Sequence, residues 1–290
     1  MQFHRYFNVD EFKAVVLELL FEDEVVNNLP IGIVSGSNMN NAAFSTADWL
    51  LSMVTDDGGD IVLIAICTKP YCLLLYEPKG KKHKDSIEFL ISRLESIDFM
   101  PPGVFAPFGL GNIFVETYNK LNANTGKSLD IKMHKTLILM KLEKLAGYKA
   151  ATGEGRVLTE DDLTYVPFWE QAFCIDCQVP TFTLEENKER IQTRIGKDTH
   201  FIWEDGLPVA QAVYGRETPN GAVINWVYTP PLYRGRGYAT SVVAAVVKSI
   251  LRQGKAYCCL FADAMNKTSC NLYRKLGFYD VCEFDEIHFS

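Results

Sequence analysis

Val227-Tyr228-Thr229-Pro230-Pro231-Leu232-Tyr233-Arg234-Gly235-Arg236-Gly237-Tyr238-Ala239-Thr240 is the stretch on which the fold turns. An apolar run ends at Thr229, two prolines break any strand ladder, and a pair of glycines opens a segment of helical periodicity. In that segment Ala239, Val242, Val243, Val246, Val247, Ile250 and Leu251 keep the i, i+3, i+4, i+7 spacing of one buried stripe, and Gly254 ends it. A helix start presents unpaired backbone N–H groups and the positive end of the helix dipole. Glycines let a phosphate approach that backbone closely, and Arg234 and Arg236 add charge at the same place. The stretch therefore reads as a pyrophosphate cradle. A nucleotide P-loop would need a lysine that is missing here. A dinucleotide fingerprint would need a third glycine where Thr240 stands. A glycine-rich turn that opens a helix without binding anything is the plain alternative.

Working outward, Thr159 with Asp162 and Thr183 with Glu186 mark two helix starts, predicting helices from about 160 to 177 and from 184 to 195. Strands are predicted over 200–203, 208–214 and 222–229, with Asp205-Gly206 and Pro219-Asn220-Gly221 as the turns between them. Residues 257–262 are apolar throughout, as a strand buried on both faces would be. A helix over 267–276 stops at Gly277, and 278–289 supplies a final hairpin or pair of strands. The fold class expected is α/β, a mixed, mostly antiparallel sheet flanked by helices.

The N-terminal half has a similar rhythm. A hairpin is expected over 60–67 and 71–77 around Lys69-Pro70, followed by a helix over 85–97, a strand over 103–108, a helix over 112–121 and a strand over 134–142. That order echoes the C-terminal half, so an internal repeat of two domains in tandem is expected. The glycine-bearing stretch 144–159 reads as the boundary, with one domain over 1–147 and the second over 148–290. No equivalent of the phosphate loop appears in the first half. The lysine run Lys79-Gly80-Lys81-Lys82-His83-Lys84 lies where a cradle would belong, and a solvated charged loop accounts for it as well.

A chain of 290 residues suits two domains of about 140 residues. With 48% hydrophobic and 22% charged residues it has a globular composition. The net charge of -7 comes without a basic stripe, so nucleic acid is not an expected partner. No apolar run approaches the length of about 18 residues that a membrane span needs. The start Met1-Gln2-Phe3-His4-Arg5-Tyr6 is not a secretory signal, and eight scattered cysteines suit reduced thiols, so a cytoplasmic protein is expected. Cys174-Ile175-Asp176-Cys177 is a lone CxxC, one pair of ligands short of a zinc site, and no metal is expected.

The loop resembles the signature of the GNAT superfamily of acyl-CoA-dependent N-acyltransferases, Arg/Gln-x-x-Gly-x-Gly/Ala, here on Arg234, Gly237 and Ala239. A second patch, 263–278, looks like the family's strand-end asparagine (Asn266), short helix with a tyrosine (Tyr273) and closing Gly277-Phe278. The resemblance covers roughly 148–290. It implies acetyl-CoA as cosubstrate, with two neighbouring strands splayed around the pantetheine arm. Trp226, Val227, Tyr228 and Thr229 would lie along that arm. Arg234, Gly235, Arg236, Gly237, Tyr238, Ala239 and Thr240 would hold the pyrophosphate, and Asn266, Ser269 and Tyr273 would seat the cofactor near its arm. The N-terminal half resembles a degenerate domain of the same kind.

The resemblance also implies transfer of an acetyl group directly to the amine of a small molecule or peptide. Tyr273 resembles the general acid for the leaving thiolate, with Tyr228 beside the reacting centre. Asn225 and Trp226 stand where many relatives carry a basic carboxylate. Glu170, Glu204 and Glu217 are candidate remote participants in deprotonation, with the solvated surface acid as the plainer reading of each, and His200 and His288 are read as structural. A non-catalytic acyl-CoA sensor and a transferase of a longer acyl group are the alternatives. The N-terminal domain is expected to wall the acceptor cleft or to support a homodimer.

Overall fold

The computed structural model describes residues 1–36, 48–78 and 84–290. In chain order the first half runs β1 Gln2–Tyr6, α1 Val9–Phe21, α2 Asn28–Val34, β2 Leu50–Thr55, β3 Ile61–Cys67, β4 Leu73–Tyr76, α3 Lys84–Ser96, β5 Gly103–Pro107, α4 Leu110–Leu121 and β6 Ile131–Leu142. The second half runs β7 Glu154–Val157, α5 Val166–Cys177, α6 Leu184–Gln192, β8 His200–Glu204, β9 Pro208–Gly215, β10 Gly221–Tyr228, α7 Tyr238–Arg252, β11 Tyr257–Asp263, α8 Lys267–Leu276 and β12 Tyr279–Phe289. Both halves follow one rhythm: strand, two helices, three strands, helix, strand, helix, strand.

The chain forms two compact units. The first is Met1–Leu139 with Ala262–Lys267 and Asp280–Ser290, and the second is Met140–Phe261 with Thr268–Tyr279. The sequence suggested one cut between 147 and 148; the units are instead discontinuous. Nearly all of β12 groups with the first unit, where it pairs with β5 from Phe284↔Pro107 to His288↔Gly103. The expected final hairpin is therefore a single long strand. In the first unit β1 to β4 are antiparallel neighbours in sequence order, and β4 pairs with β5 in parallel. In the second unit β7 to β10 repeat the antiparallel order, and β10 pairs with β11 in parallel. A parallel neighbour requires a crossover, and α3 and α7 are those crossovers.

Helix α7 follows the stripe read from the sequence, with Val242, Val243, Val246, Val247 and Ile250 fully buried. The Thr183–Glu186 capping box starts α6. The Thr159–Asp162 box starts a short 3-10 turn, Glu160–Thr164, ahead of α5. Four elements at the N-terminus (β1, α1, α2 and β2) were not expected. Strand β7 falls inside the stretch read as a linker. In the first unit Phe12, Val16 and Leu20 of α1 and Ile31, Ile33 and Val34 of α2 cover one sheet face with Leu51, Met53, Ile64 and Ile66. The residues of the lysine run from Lys79 to His83 lie outside the described residues.

Candidate functional site

Beyond β10 the chain makes a 3-10 turn at Pro231–Tyr233 and enters the glycine pair in extended backbone at Arg234. Gly235 and Gly237 then take φ of 79° and 85°. An L side chain in this left-handed region costs about 1–2 kcal/mol, which is the physical demand for glycine here. Gly237 is the N-cap of α7. A Cβ at Gly235 would meet nothing within 4 Å, and one at Gly237 would meet only the Ala151 Cβ at 3.8 Å. The glycines thus leave bare backbone over the first turn of α7, open to a ligand. That turn is pinned from outside. The Tyr238 hydroxyl donates to Asp205 Oδ2 at 2.5 Å, Thr152 Oγ1 donates to the same oxygen at 2.6 Å, and Ser241 Oγ accepts from the Ala151 N–H at 2.8 Å. Thr152 and Tyr238 together hold the Asp205 carboxyl below its ordinary pKa. Arg236 is exposed, while Ala239 and Thr240 are half-buried. Arg234 is occupied within the protein: its Nε donates to the Thr229 carbonyl at 2.9 Å, its Nη2 reaches Asp176 at 2.6 Å, and its guanidinium lies 5.7 Å from the Tyr228 ring centre.

The strand leading into this loop is irregular in two ways. β10 pairs with β11 only through Gly221↔Tyr257, Ala222↔Cys258 and Val223↔Cys259, although the strands run on to Tyr228 and Asp263. Against β9 the register passes from Asn225↔Val213 to Tyr228↔Gln211, so β10 carries one extra residue, a β-bulge. Trp226 sits in the bulge with φ of 53°, a region a large aromatic residue avoids unless its surroundings impose it. The second half of β10 therefore turns backbone groups toward the side where β11 has parted from it. An extended ligand could add there as a strand would.

The C-terminal end of α5 gathers several expected residues. Asp176 pairs with Arg234. The Tyr228 pKa is raised, chiefly by burial and then by Asp176. The Tyr273 pKa is also raised, by burial and then by Cys177 and Cys270. Tyr273 is 7% exposed on α8, with its ring edge-on to Phe278 at 5.8 Å. It is a phenol held protonated. Ser269 lies half-buried on α8. Asn266 is exposed in the turn after β11, its N–H bonded to the Asp263 carbonyl at 2.9 Å, in the short stretch that groups with the first unit. Val227 is half-buried, and Thr229 Oγ1 is buried with no hydrogen-bond partner.

Glu170 corrects the reading of it as a solvated acid: it is 0% exposed and bonded to Arg194 Nη1. Glu204 pairs with Arg156 at 2.5 Å and Glu217 with Lys255 at 3.3 Å. Next to Glu170 on α5, Trp169 packs 6.4 Å from the Tyr228 ring, and one turn on Phe173 packs 4.9 Å from Trp226. From α6 and the turn after it, the guanidiniums of Arg190 and Arg194 lie 5.6 Å and 5.7 Å from the Trp226 ring centre. Buried beside this group, His200 takes its Nε2 to Gln211 Oε1 at 3.3 Å. Burial, then the Arg194 charge, lowers the His200 pKa to about 3, so its ring is neutral. Glu170 Oε2, Asn187 Oδ1, Arg190 Nη1, His200 Nδ1, Gln211 Nε2 and Asn225 Oδ1 are all buried without a hydrogen-bond partner. Native interiors hold few such atoms. Of these, Arg190 lies against Trp226 and Asn225 precedes it in the chain. The sequence carried one signal of this group, Arg190 and Arg194 four residues apart, in and just beyond the helix that also holds buried Asn187 and Ile191. Cys174 and Cys177 are not joined in a disulfide, and Cys174 is buried. Among the described residues no group of His, Cys, Asp and Glu is arranged to hold a metal, and no helix is long and apolar enough to cross a membrane.

Comparison with known proteins agrees with this geometry. Residues 205–285 match the family model described as FR47-like protein. No curated protein matches the chain. Among solved structures, a Drosophila protein aligns with a TM-score of 0.66 at 10% identity over 99% of this chain and 98% of that one. A GNAT-family acetyltransferase from Colwellia psychrerythraea aligns with a TM-score of 0.64 at 12% identity over 100% of both chains. A tandem GNAT protein from the clavulanic acid biosynthesis pathway aligns with a TM-score of 0.59 at 13% identity over 99% of this chain and 98% of that one. At such identities the likeness is one of fold, and it runs the whole length of the chain. The chain is thus a two-lobed protein of the GNAT acyltransferase fold, with an FR47-like segment in its C-terminal lobe.

Proposed function

We propose that the C-terminal lobe is an N-acetyltransferase that moves the acetyl group of acetyl-CoA directly onto an amine. The observation that carries this reading is the bulge at Trp226 in the strand that parts from its parallel neighbour, directly ahead of the Gly235–Gly237 turn. The bare first turn of α7 supports binding of a pyrophosphate. The unpaired stretch of β10 supports binding of an extended pantetheine arm. A neighbour of this fold solved as an acetyltransferase of the GNAT family supports the reading of acetyl transfer.

In this reading the bound cosubstrate supplies the thioester. Backbone N–H groups of the bulge polarise its carbonyl. The neutral amine attacks that carbon, the carbon–sulfur bond breaks, the nitrogen gives up one proton to water, and Tyr273 gives its proton to the departing thiolate and regains one from solvent. The raised pKa of the phenol keeps that proton in place until then. Arg234 exchanges Asp176 for phosphate when the cosubstrate arrives.

Calorimetric titration with coenzyme A tests the donor site. Saturable binding is expected, and no binding at millimolar ligand would sink the reading. Release of free thiol in the presence of amines tests transfer. Binding without turnover across amino acids, polyamines, aminoglycosides and peptides would instead favour a sensor of acyl-CoA.

A further inference from the structure

We propose that the amine acceptor of the C-terminal lobe carries a carboxylate, and that Arg190 is the residue that recognises it. This deepens the transferase reading and rests on it. The argument begins with charge. Around Trp226 lie two half-buried guanidiniums, Arg190 and Arg194, and Arg194 is paired with one buried carboxylate, Glu170. Glu170 is 0% exposed, and its Oε1 is committed to Arg194. Arg190 has no ion pair among the described residues. Its Nη1 is buried without a hydrogen-bond partner, and its guanidinium rests on the Phe182 ring at 4.1 Å and the Trp226 ring at 5.6 Å.

The nearest acid, Glu186 one turn earlier on α6, feels the Arg190 charge but forms no ion pair with it among the described residues. Glu186 is spent on the Thr183 capping box, accepting from Thr183 N at 2.8 Å. Asp162 is taken by the Arg156 fork at 2.7 Å and 2.8 Å. Burial raises the pKa of the Cys174 thiol, and Glu170 raises it further, so that thiol is neutral. His200 is neutral as well. Half-buried Arg190 is thus left without a bonded counter-charge in a chain whose net charge is -7. An unpaired charge withdrawn from water is costly and is retained where a partner arrives to meet it.

The cluster also lies where an acceptor must sit. Trp226 belongs to the bulge next to the reacting carbonyl, so a group resting on its ring is within one small molecule of the attack site. Arg190 offers the planar fork that suits a carboxylate. A carboxylate on the acceptor supplies the bonded anion that Arg190 lacks. A polyamine or aminoglycoside would bring further positive charge to a site that already has an excess.

The test is thiol release from acetyl-CoA by the full chain, with matched acceptors: glycine against glycinamide, β-alanine against β-alaninamide, and phosphoethanolamine as a non-carboxylate anion. The expected result is a kcat/KM for each free acid at least about tenfold above its amide, the size of one charge-assisted hydrogen bond. Arg190→Gln is expected to collapse that ratio toward one, and Arg190→Lys to keep part of it. Circular dichroism checks that each variant is folded. Isothermal titration of glycine into protein saturated with coenzyme A gives a readout independent of turnover. Equal rates for acid and amide, preference for phosphoethanolamine, or an unchanged ratio in folded Arg190→Gln would each overturn the proposal. Failure of coenzyme A to bind would instead sink the donor reading on which it rests.

Discussion

Replacing Gly237 by valine separates what the glycine does for the fold from what it does for a ligand. Its φ is 85°, and the only atom near an added Cβ is Ala151 Cβ at 3.8 Å. Crowding inside the protein is therefore minor, and the cost to the fold is that of a side chain in the left-handed region, about 1–2 kcal/mol. For a domain of this size that lowers Tm by roughly 2–8 °C. Gly254 supplies the control. It has the same φ of 85° and open space around it, but it lies beyond the other end of α7. With a rise of about 1.5 Å per residue it is some ~20 Å away from the first turn. Gly254→Val is expected to lower Tm by a similar amount and leave coenzyme A affinity unchanged. Gly237→Val is expected to lose in addition the close approach of phosphate to the first-turn amides. Charge-assisted bonds of this kind are worth about 1.5–3 kcal/mol, or roughly 10–100-fold in Kd. The assay is calorimetric titration with coenzyme A alongside differential scanning calorimetry of all three proteins. If both variants bind coenzyme A as the parent does, the cradle has been placed on the wrong turn.

The remaining expectations concern the buried groups. Tyr273→Phe should lower turnover while leaving coenzyme A affinity near the parent value; equal turnover assigns the tyrosine to packing. Glu170→Ala leaves the largely buried Arg194 without its partner and should cost about 3–5 kcal/mol of stability in urea unfolding. Adding Arg194→Met should recover much of that loss, and a double variant no more stable than the single would show that the pair is not coupled. His200 makes stability depend on pH. Its folded pKa, lowered to about 3 by burial and the Arg194 charge, lies below the ordinary 6.5, so the unfolded chain binds the proton and the folded one does not. Stability from this group is full above pH ~6.5 and falls as pH drops toward 3, by about 2 kcal/mol between neutrality and pH 5. His200→Gln should flatten that part of the profile, and an unaltered slope would place the dependence elsewhere.

What the sequence made legible follows from which signals are local. The stripe of α7, the Thr183 capping box and the glycine pair are each written within one or two turns, and the structure has them where they were read. β7 was missed because a four-residue edge strand, Glu-Gly-Arg-Val, carries neither alternation nor apolar bulk. The positive φ of Trp226 was not legible, since nothing in an aromatic residue announces it. Glu170 was misread for a reason visible in α5: Phe168 and Ile175 are 55% and 65% exposed while the glutamate between them is buried. When a helix is apolar all round, burial cannot be assigned from polarity. The chemistry of the candidate acceptor region depends on residues from α5, α6, β8, β9 and β10, and their convergence is a tertiary fact.

The two lobes repeat one topology but do not use it alike. In the first unit α1 and α2 meet the sheet through Phe12, Val16, Leu20, Ile31 and Ile33, against Ile64, Ile66 and Tyr76. In the second unit the corresponding α5 and α6, with the turn after α6, bring Glu170, Arg190 and Arg194 to the sheet, where His200 and Gln211 are buried. The strand before the crossover helix differs too: β10 has the bulge and a residue at positive φ, and the described residues of β4 have no such residue. An apolar interface is the cheaper way to attach two helices to a sheet. The second unit departs from it with buried unpaired donors and acceptors, and it does so beside the bulged strand β10. The sister lobe has a buried indole N–H without a partner at Trp49, but no charged group at the matching place among its described residues, and charge is what a binding site imposes and packing alone would remove.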